Sequence, residues 1–286
     1  MLSTLPPYPK RYVIDFQSHD LISASSYKEP FHHIKTLVLP EREKAAKKEM
    51  DRNQKITSNN KTKANWHHRN FLEHWWQLSY SRPELMSKLS KLNRYIACSC
   101  VTKHPIFEFI SSKIHPNASL QVFALEDDFS FGILQSKLHW LWFINKCSTL
   151  GKTPRYTSNT VFDTFPWPQR PHEKRIKKVA EKAVNLRKVR SLLMNKHKKS
   201  LRDLYNLLDL PGNNLLREAQ EELDEAVYEV YGLIDKNNPL KFLLELNKQL
   251  HTNEINGQII SGPGLPKSIT HTAEYITKDC ISPREH

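Results

Sequence analysis

Apolar residues recur with two different periods along the chain, and the change of period divides it. Arg11-Tyr12-Val13-Ile14-Asp15-Phe16 reads as an extended start followed by a loop. From Glu41 to Arg69 charged and amide residues dominate, with Ser58-Asn59-Asn60-Lys61-Thr62-Lys63 and almost no apolar anchor after Met50. That is the pattern of a flexible connector or an exposed helix. Trp66, Phe71, Leu72, Trp75 and Trp76 resume core packing, and Arg82-Pro83-Glu84-Leu85 opens a short helix with proline in its first turn. Two β-rich runs, 95–101 and 105–110, flank Thr102-Lys103-His104 as a hairpin with a basic tip, and Leu120 to Leu125 extends the sheet. Helical spacing follows from about Ser130 to Cys147 through Phe131, Leu134, Leu138, Leu141 and Trp142, before Phe165-Pro166-Trp167-Pro168 interrupts the chain.

Beyond that interruption only the helical period remains. Ile176, Val179, Ala183, Leu186 and Leu193 stripe a long basic helix to about Lys198; a second stripe from Leu215 to Val230 stops at Gly232; Pro239 opens a third with Leu240, Leu243, Leu244 and Leu250. The expected class is α+β: a mixed sheet-and-helix domain over 1–169 with a flexible basic stretch at about 41–69, a small all-α bundle over 170–252, and a loop with a disordered tail over 253–286.

Composition bounds the chemistry. With 286 residues, 38% hydrophobic and 10% aromatic, the chain has material for real cores. Its seven glycines leave little for loops that cradle a nucleotide or S-adenosylmethionine, so no cofactor is expected in this chain. The net charge of +13 is uneven: residues 170–202 hold 13 lysines and arginines against 2 acidic residues, whereas 203–286 hold 7 against 14. A basic first two thirds suits a polyanion, because counterion release dominates nonspecific nucleic-acid affinity; a solvated basic surface is the plainer alternative. Cys98, Cys100, Cys147 and Cys280 form neither a disulfide framework nor a CxxC zinc pair, as expected of a reduced cytoplasmic protein. Neither a signal peptide nor an apolar run of spanning length is visible, so no membrane partner is expected.

Catalytic motifs are wanting. Amino-methyltransferases acting on DNA bases need Asn/Asp/Ser-Pro-Pro-Tyr/Phe, whose first residue accepts from the flipped base's amine while the ring stacks on it. Here Leu5-Pro6-Pro7-Tyr8 offers no side-chain acceptor and follows no strand, so it reads as an accident of composition. No FxGxG loop precedes it, and no Pro-Asp with Asp/Glu-x-Lys supports a nuclease. Glu126-Asp127-Asp128 lies between a strand and a helix, where carboxylates face a helix N-terminus more readily than a metal. The adjacent pairs His32-His33 and His67-His68 cannot converge on a metal from one helix face and read as surface residues.

Several segments, in order, resemble one family: Arg94-Tyr95-Ile96-Ala97-Cys98, Leu120-Gln121-Val122-Phe123, Phe131 to Ser136, Leu138-His139-Trp140-Leu141-Trp142, Arg155-Tyr156-Thr157-Ser158 and Thr164-Phe165-Pro166-Trp167-Pro168. They are similar to the target-recognition domain of MmeI-like (type IIL/IIG) restriction-modification DNA methyltransferases. Ser200 to Tyr205, Leu210-Pro211-Gly212 and Tyr231-Gly232 resemble that family's C-terminal helical region.

The resemblance implies double-stranded DNA as partner and recognition of a sequence for an adenine-N6 methyltransferase. The methyltransferase and endonuclease domains, with their S-adenosylmethionine, are expected outside this chain, which alone is expected to be inactive. A remnant of a truncated gene and a basic RNA-binding accessory protein stay open as alternatives. Reading DNA needs basic and amide side chains at base edges, with others on phosphates. Lys146, Lys152, Arg155, Tyr156, Ser158 and Asn159 around Gly151 supply that mixture, with Arg155 and Asn159 as base readers and Lys152 on a phosphate. Lys103 and His104 are a second candidate, and Lys174, Arg175 and Lys178 suit a backbone contact. Trp140, Trp142 and Phe143 are expected in the core.

Overall fold

The computed structural model describes residues 9, 11–56, 63–233 and 235–283. Leu5-Pro6-Pro7-Tyr8 and most of the 58–63 stretch lie outside them. Two compact units divide at Ser87/Lys88.

The first unit, Arg11–Ser87, is helical. α1 (Leu21–Ser25), α2 (Lys28–Leu37), α3 (Leu39–Ile56) and α4 (His67–Glu73) follow one another. The first two occupy what reads in sequence as a loop. Asp20 starts α1 by accepting the Ser23 N–H at 2.6 Å, a capping bond that hydrophobic spacing does not reveal. Phe16, Ala24 and Ile34 form a small core with Phe31, Trp75 and Trp76 against it. Of the two readings of the stretch after Glu41, the helix holds as far as Ile56.

The second unit begins at Lys88, within the last turn of α5 (Pro83–Leu89). β1 (Arg94–Ser99), β2 (Glu108–Ser111) and β3 (Leu120–Phe123) make an antiparallel sheet in the order β2-β1-β3. Ile96 stands opposite Phe109 on one side and Phe123 on the other, so the β-branched and aromatic run fills the sheet's buried surface. The expected helix from Ser130 to Cys147 is instead two, α6 (Asp128–Gln135) and α7 (Lys137–Lys146). Ser136 breaks them: it is extended (ψ 159°), its hydroxyl donates to the Ile133 carbonyl at 2.7 Å, and its oxygen caps the His139 N–H. A short hairpin follows, β4 (Ser148–Leu150) and β5 (Thr153–Arg155), then α8 (Glu173–His197), α9 (Leu201–Asn206), α10 (Leu215–Tyr231) and α11 (Pro239–Ile255).

One continuous core runs from Ile96 through Phe165 and Trp167 to Leu223 and Leu243. The Pro-Trp-Pro segment therefore packs into the core that sheet and bundle share. Its prolines end regular structure while its rings fill the junction, and Tyr231 and Asn247 donate to the Pro166 and Thr164 carbonyls. Gly132 is what lets α6 approach α8: a β-carbon there would lie 2.6 Å from Val179 Cγ1.

The residues after 253, expected as loop and tail, return to this core. Ile281 exchanges backbone hydrogen bonds with β2, accepting from Ser111 and donating to Phe109 at 2.9 and 2.8 Å. Arg94 and Arg187 bracket Asp128, and both also reach Asp279. A polar tail with few apolar anchors is held here by charge, which local sequence cannot display. Asp127 caps α6, and Glu126 accepts the Asn93 N–H, so the acidic triplet is structural.

Candidate nucleic-acid interface

The hairpin β4-β5 turns through Gly151 and Lys152. Gly151 has a φ of +61°, the conformation that a two-residue hairpin turn of matching twist requires and that glycine adopts without strain. The hairpin exposes Ser148, Thr149, Leu150, Lys152 and Arg155. Its second strand pairs with the continuation of β1: Val101 bridges Arg155, Thr102 N–H donates to the Pro154 carbonyl at 3.0 Å, and Tyr156 N–H donates to the Cys100 carbonyl at 2.7 Å. Lys103 and His104 follow directly on that strand, in a turn closed by the Thr102 hydroxyl donating to the His104 carbonyl at 2.7 Å.

Lys103, Lys152 and Arg155 are thus carried by one paired strand system, and all three are exposed. Ser158 and Asn159, also exposed, come next in a π-helical turn, Ser158–Phe162, in which Asp163 N–H donates to the Ser158 carbonyl at 2.9 Å. Such turns are rare and concentrate at functional sites. Lys146 is exposed at the end of α7 with its ammonium 5.1 Å from the Trp142 ring centre.

Tyr156 does not belong to that surface. It is 1% exposed, stacked on Phe143 at 5.5 Å, and its hydroxyl is 2.9 Å from His139 Nε2. Side chains alternate along an extended strand, so the exposure of Arg155 turns its neighbour inward. Burial pushes the Tyr156 hydroxyl well up and His139 down to about 3, so this pair is a neutral pedestal under the hairpin.

On α8, Lys174 and Arg175 are exposed and carry no ion pair among the described residues. Lys178 is different: its ammonium contacts both Glu229 carboxylate oxygens at 2.7 Å, just as Lys182 meets Glu222. Arg187 and Arg190 are buried, on Asp128 with Asp279 and on Glu108. Much of the basic helix's charge is therefore answered inside the protein, by acidic residues of α10 and of the returning tail.

The residue that the sequence hid is Trp140. Placed with the core aromatics, it is instead half-buried, and His104 lies flat on it at 5.7 Å with 8° between the planes. Its indole N–H points at the Lys103 carbonyl at 3.4 Å. The buried positions of α7 are Leu138, His139, Trp142 and Phe143, and Trp140 falls off that stripe, which is the signal that marks it. Trp142 and Phe143 are buried as expected. Among the described residues no three His, Cys, Asp or Glu side chains gather as a metal site, and no helix is long and apolar enough to cross a membrane.

Residues 46–169 match the family model for the MmeI target recognition domain. The chain is similar to that family over this stretch. The hairpin, the π-helical turn and the Lys103-His104 turn all fall within it, and it ends just past Pro168. The fold is also similar to a solved structure of the type IIL restriction-modification enzyme MmeI in complex with DNA, with a TM-score of 0.56 and 24% identity. The similarity covers 71% of this chain, so it continues beyond the recognition domain, and 26% of the MmeI chain. The chain thus spans about a quarter of that enzyme's length. No curated protein matches it.

Proposed function

We propose that this chain reads a specific sequence in double-stranded DNA, as the specificity part of an adenine-N6 methyltransferase of a restriction-modification system. The groups that transfer methyl, and their S-adenosylmethionine, are supplied from outside these residues. One observation carries the reading: within the stretch that matches the MmeI target recognition domain, three exposed cations, Lys103, Lys152 and Arg155, stand on one paired strand system above a buried neutral pedestal. MmeI itself has been solved bound to DNA.

The chemistry fits a duplex. A guanidinium makes two parallel hydrogen bonds to a guanine edge, and an amide does the same to adenine, which assigns base reading to Arg155 and Asn159. Lys152 at the hairpin turn, with Lys103 and Lys146, is placed to neutralise phosphates, and Ser158 to donate to one. Lys174 and Arg175 serve as backbone contacts, whereas Lys178 first has to leave Glu229. The stack of His104 on Trp140 holds the Lys103 turn in one conformation, so less ordering entropy is lost on binding.

Selection of the full chain against a random duplex library tests this directly. Arg155→Ala is expected to relax one position of the selected motif by about 1–3 kcal/mol while changing total affinity less. Lys152→Ala is expected to weaken all sequences alike and lower the salt slope by about 1. An unchanged motif in Arg155→Ala removes the assignment.

A further inference from the structure

The segment from Asn65 to Tyr80 in the first unit presents an unusual combination. α4 at its centre buries none of its residues. The chain nevertheless commits buried polar groups of α3 to holding it. Asn53, 4% exposed, donates to the Asn65 carbonyl at 2.6 Å and accepts the Asn65 N–H at 3.1 Å. Glu49, 7% exposed, takes the N–H groups of His68 and Arg69 at 3.0–3.1 Å. Burial raises that carboxyl, but the His68 and Arg69 amides together outweigh it and hold Glu49 below its ordinary range. Arg42 fastens the far end, donating to the Phe71 and Gln77 carbonyls at 2.6 and 2.7 Å.

Trp75 and Trp76 pack the end of the segment against the small core, while α4 buries none of its residues and is clamped at three points, which makes it a rigid surface. Its outward residues are aromatic and basic. Trp66 is 47% exposed with the Arg69 guanidinium 5.5 Å above its ring, and the Arg69 side chain is 63% exposed. Tyr80 is 66% exposed, and its hydroxyl is 2.8 Å from His67 Nε2. Glu73 is the acidic partner of Arg69, in an open ion pair of the kind that contributes little and exchanges readily for a phosphate. Glu49 already fills the start of α4, so any anion-binding capacity here belongs to the side chains.

We infer that Trp66, Arg69 and the His67–Tyr80 pair form a second contact surface for the deoxyribose-phosphate backbone of duplex DNA, separate from the hairpin. An apolar ring face fits the sugar, a guanidinium beside it fits the phosphate, and the phenol and imidazole supply further polar contacts. No base edge is read, so the surface adds affinity and backbone protection and leaves sequence preference alone. The inference rests on the DNA-reading function proposed above. It draws support from the start of the MmeI match at residue 46, ahead of this segment.

The full chain, its Arg69→Glu variant and its Trp66→Ala/Arg69→Ala double variant are compared on a duplex carrying the selected site. Affinity is measured across salt concentrations, together with a hydroxyl-radical footprint. All substituted positions are exposed, and unchanged melting temperatures verify folding. The double variant is expected to bind about five- to tenfold more weakly, with a salt slope lower by about 1 and protection lost at some backbone positions. Arg69→Glu is expected to lose more, and the selected motif to stay the same. Affinity within twofold of the unsubstituted chain and an unchanged footprint, in variants whose parent binds its site, overturn the second surface alone. Failure of the parent chain to bind any duplex overturns the DNA reading and this inference together.

Discussion

Arg94, Arg187 and Arg190 and the trio Lys103, Lys152 and Arg155 add equally to the net charge and are put to opposite uses. The first three are 2–5% exposed, lie over the Phe109 and Phe131 rings, and meet Asp128, Asp279 and Glu108. The second three are exposed on a hairpin and its neighbouring turn. A buried cation is costly unless fully paired, so the inner set fixes how sheet, α8 and tail fit together. The outer set has water for its partner until a polyanion replaces it. Positive charge in composition is thus evidence for a nucleic-acid partner only after the internal pairs are removed from the count.

The contrast is sharpest for Asp128, which serves two buried guanidinium groups and accepts the Thr277 N–H at 3.0 Å. Asp128→Ala leaves both arginines sharing Asp279 alone and is expected to cost about 3–5 kcal/mol in denaturant unfolding. Arg155→Ala, by contrast, is expected to leave stability within about 0.5 kcal/mol while relaxing the selected sequence, as an exposed position should. Equal destabilisation by the two substitutions erases the distinction.

Gly132→Ala sits between them. Its new methyl meets Val179, and overpacking of the α6-α8 contact is expected to cost about 1–3 kcal/mol in the same assay, with DNA preference intact. A smaller effect follows from Asp224, whose carboxylate accepts the Lys137 N–H at 2.7 Å and is pushed up to about 6 by burial, with that bond partly offsetting it. A carboxyl raised in the folded state contributes most when protonated. Its stabilisation is present below about pH 4 and is lost as pH rises through about 6. Asp224→Asn keeps an acceptor and removes the charge. It is expected to stabilise the protein by about 1 kcal/mol at pH 7, with the gain vanishing below pH 4. A gain that persists in acid contradicts the assignment. Least of all, Lys178→Ala is expected to change stability by about 0.5 kcal/mol or less, because its pair with Glu229 is half in water.

Much of the architecture was legible in the sequence because it is written in local periods. The alternation around Ile96 and Phe109, the three helical stripes, the stop at Gly232 and the start at Pro239 all appear where spacing puts them. What escaped depends on partners far along the chain. Ser136 breaks a helical pattern because its hydroxyl and Asp224 satisfy the freed backbone. The tail is fixed by Asp279 between Arg94 and Arg187, nearly a hundred residues or more away. At the interface, segment 146–159 held the exposed Lys152, Arg155 and Asn159, but strand alternation took Tyr156 into the core, and α10 took Lys178. Trp140 has the neighbours of a core residue, but its position off the α7 stripe leaves it half outside.

The most direct measurement is the selection of the intact chain on random duplexes, followed by titration of the enriched site against salt. A DNA-reading function requires one defined motif, a steep loss of affinity with salt, and a motif that loosens at a single position in Arg155→Ala. Absence of enrichment at low salt, or the same motif with and without Arg155, contradicts it.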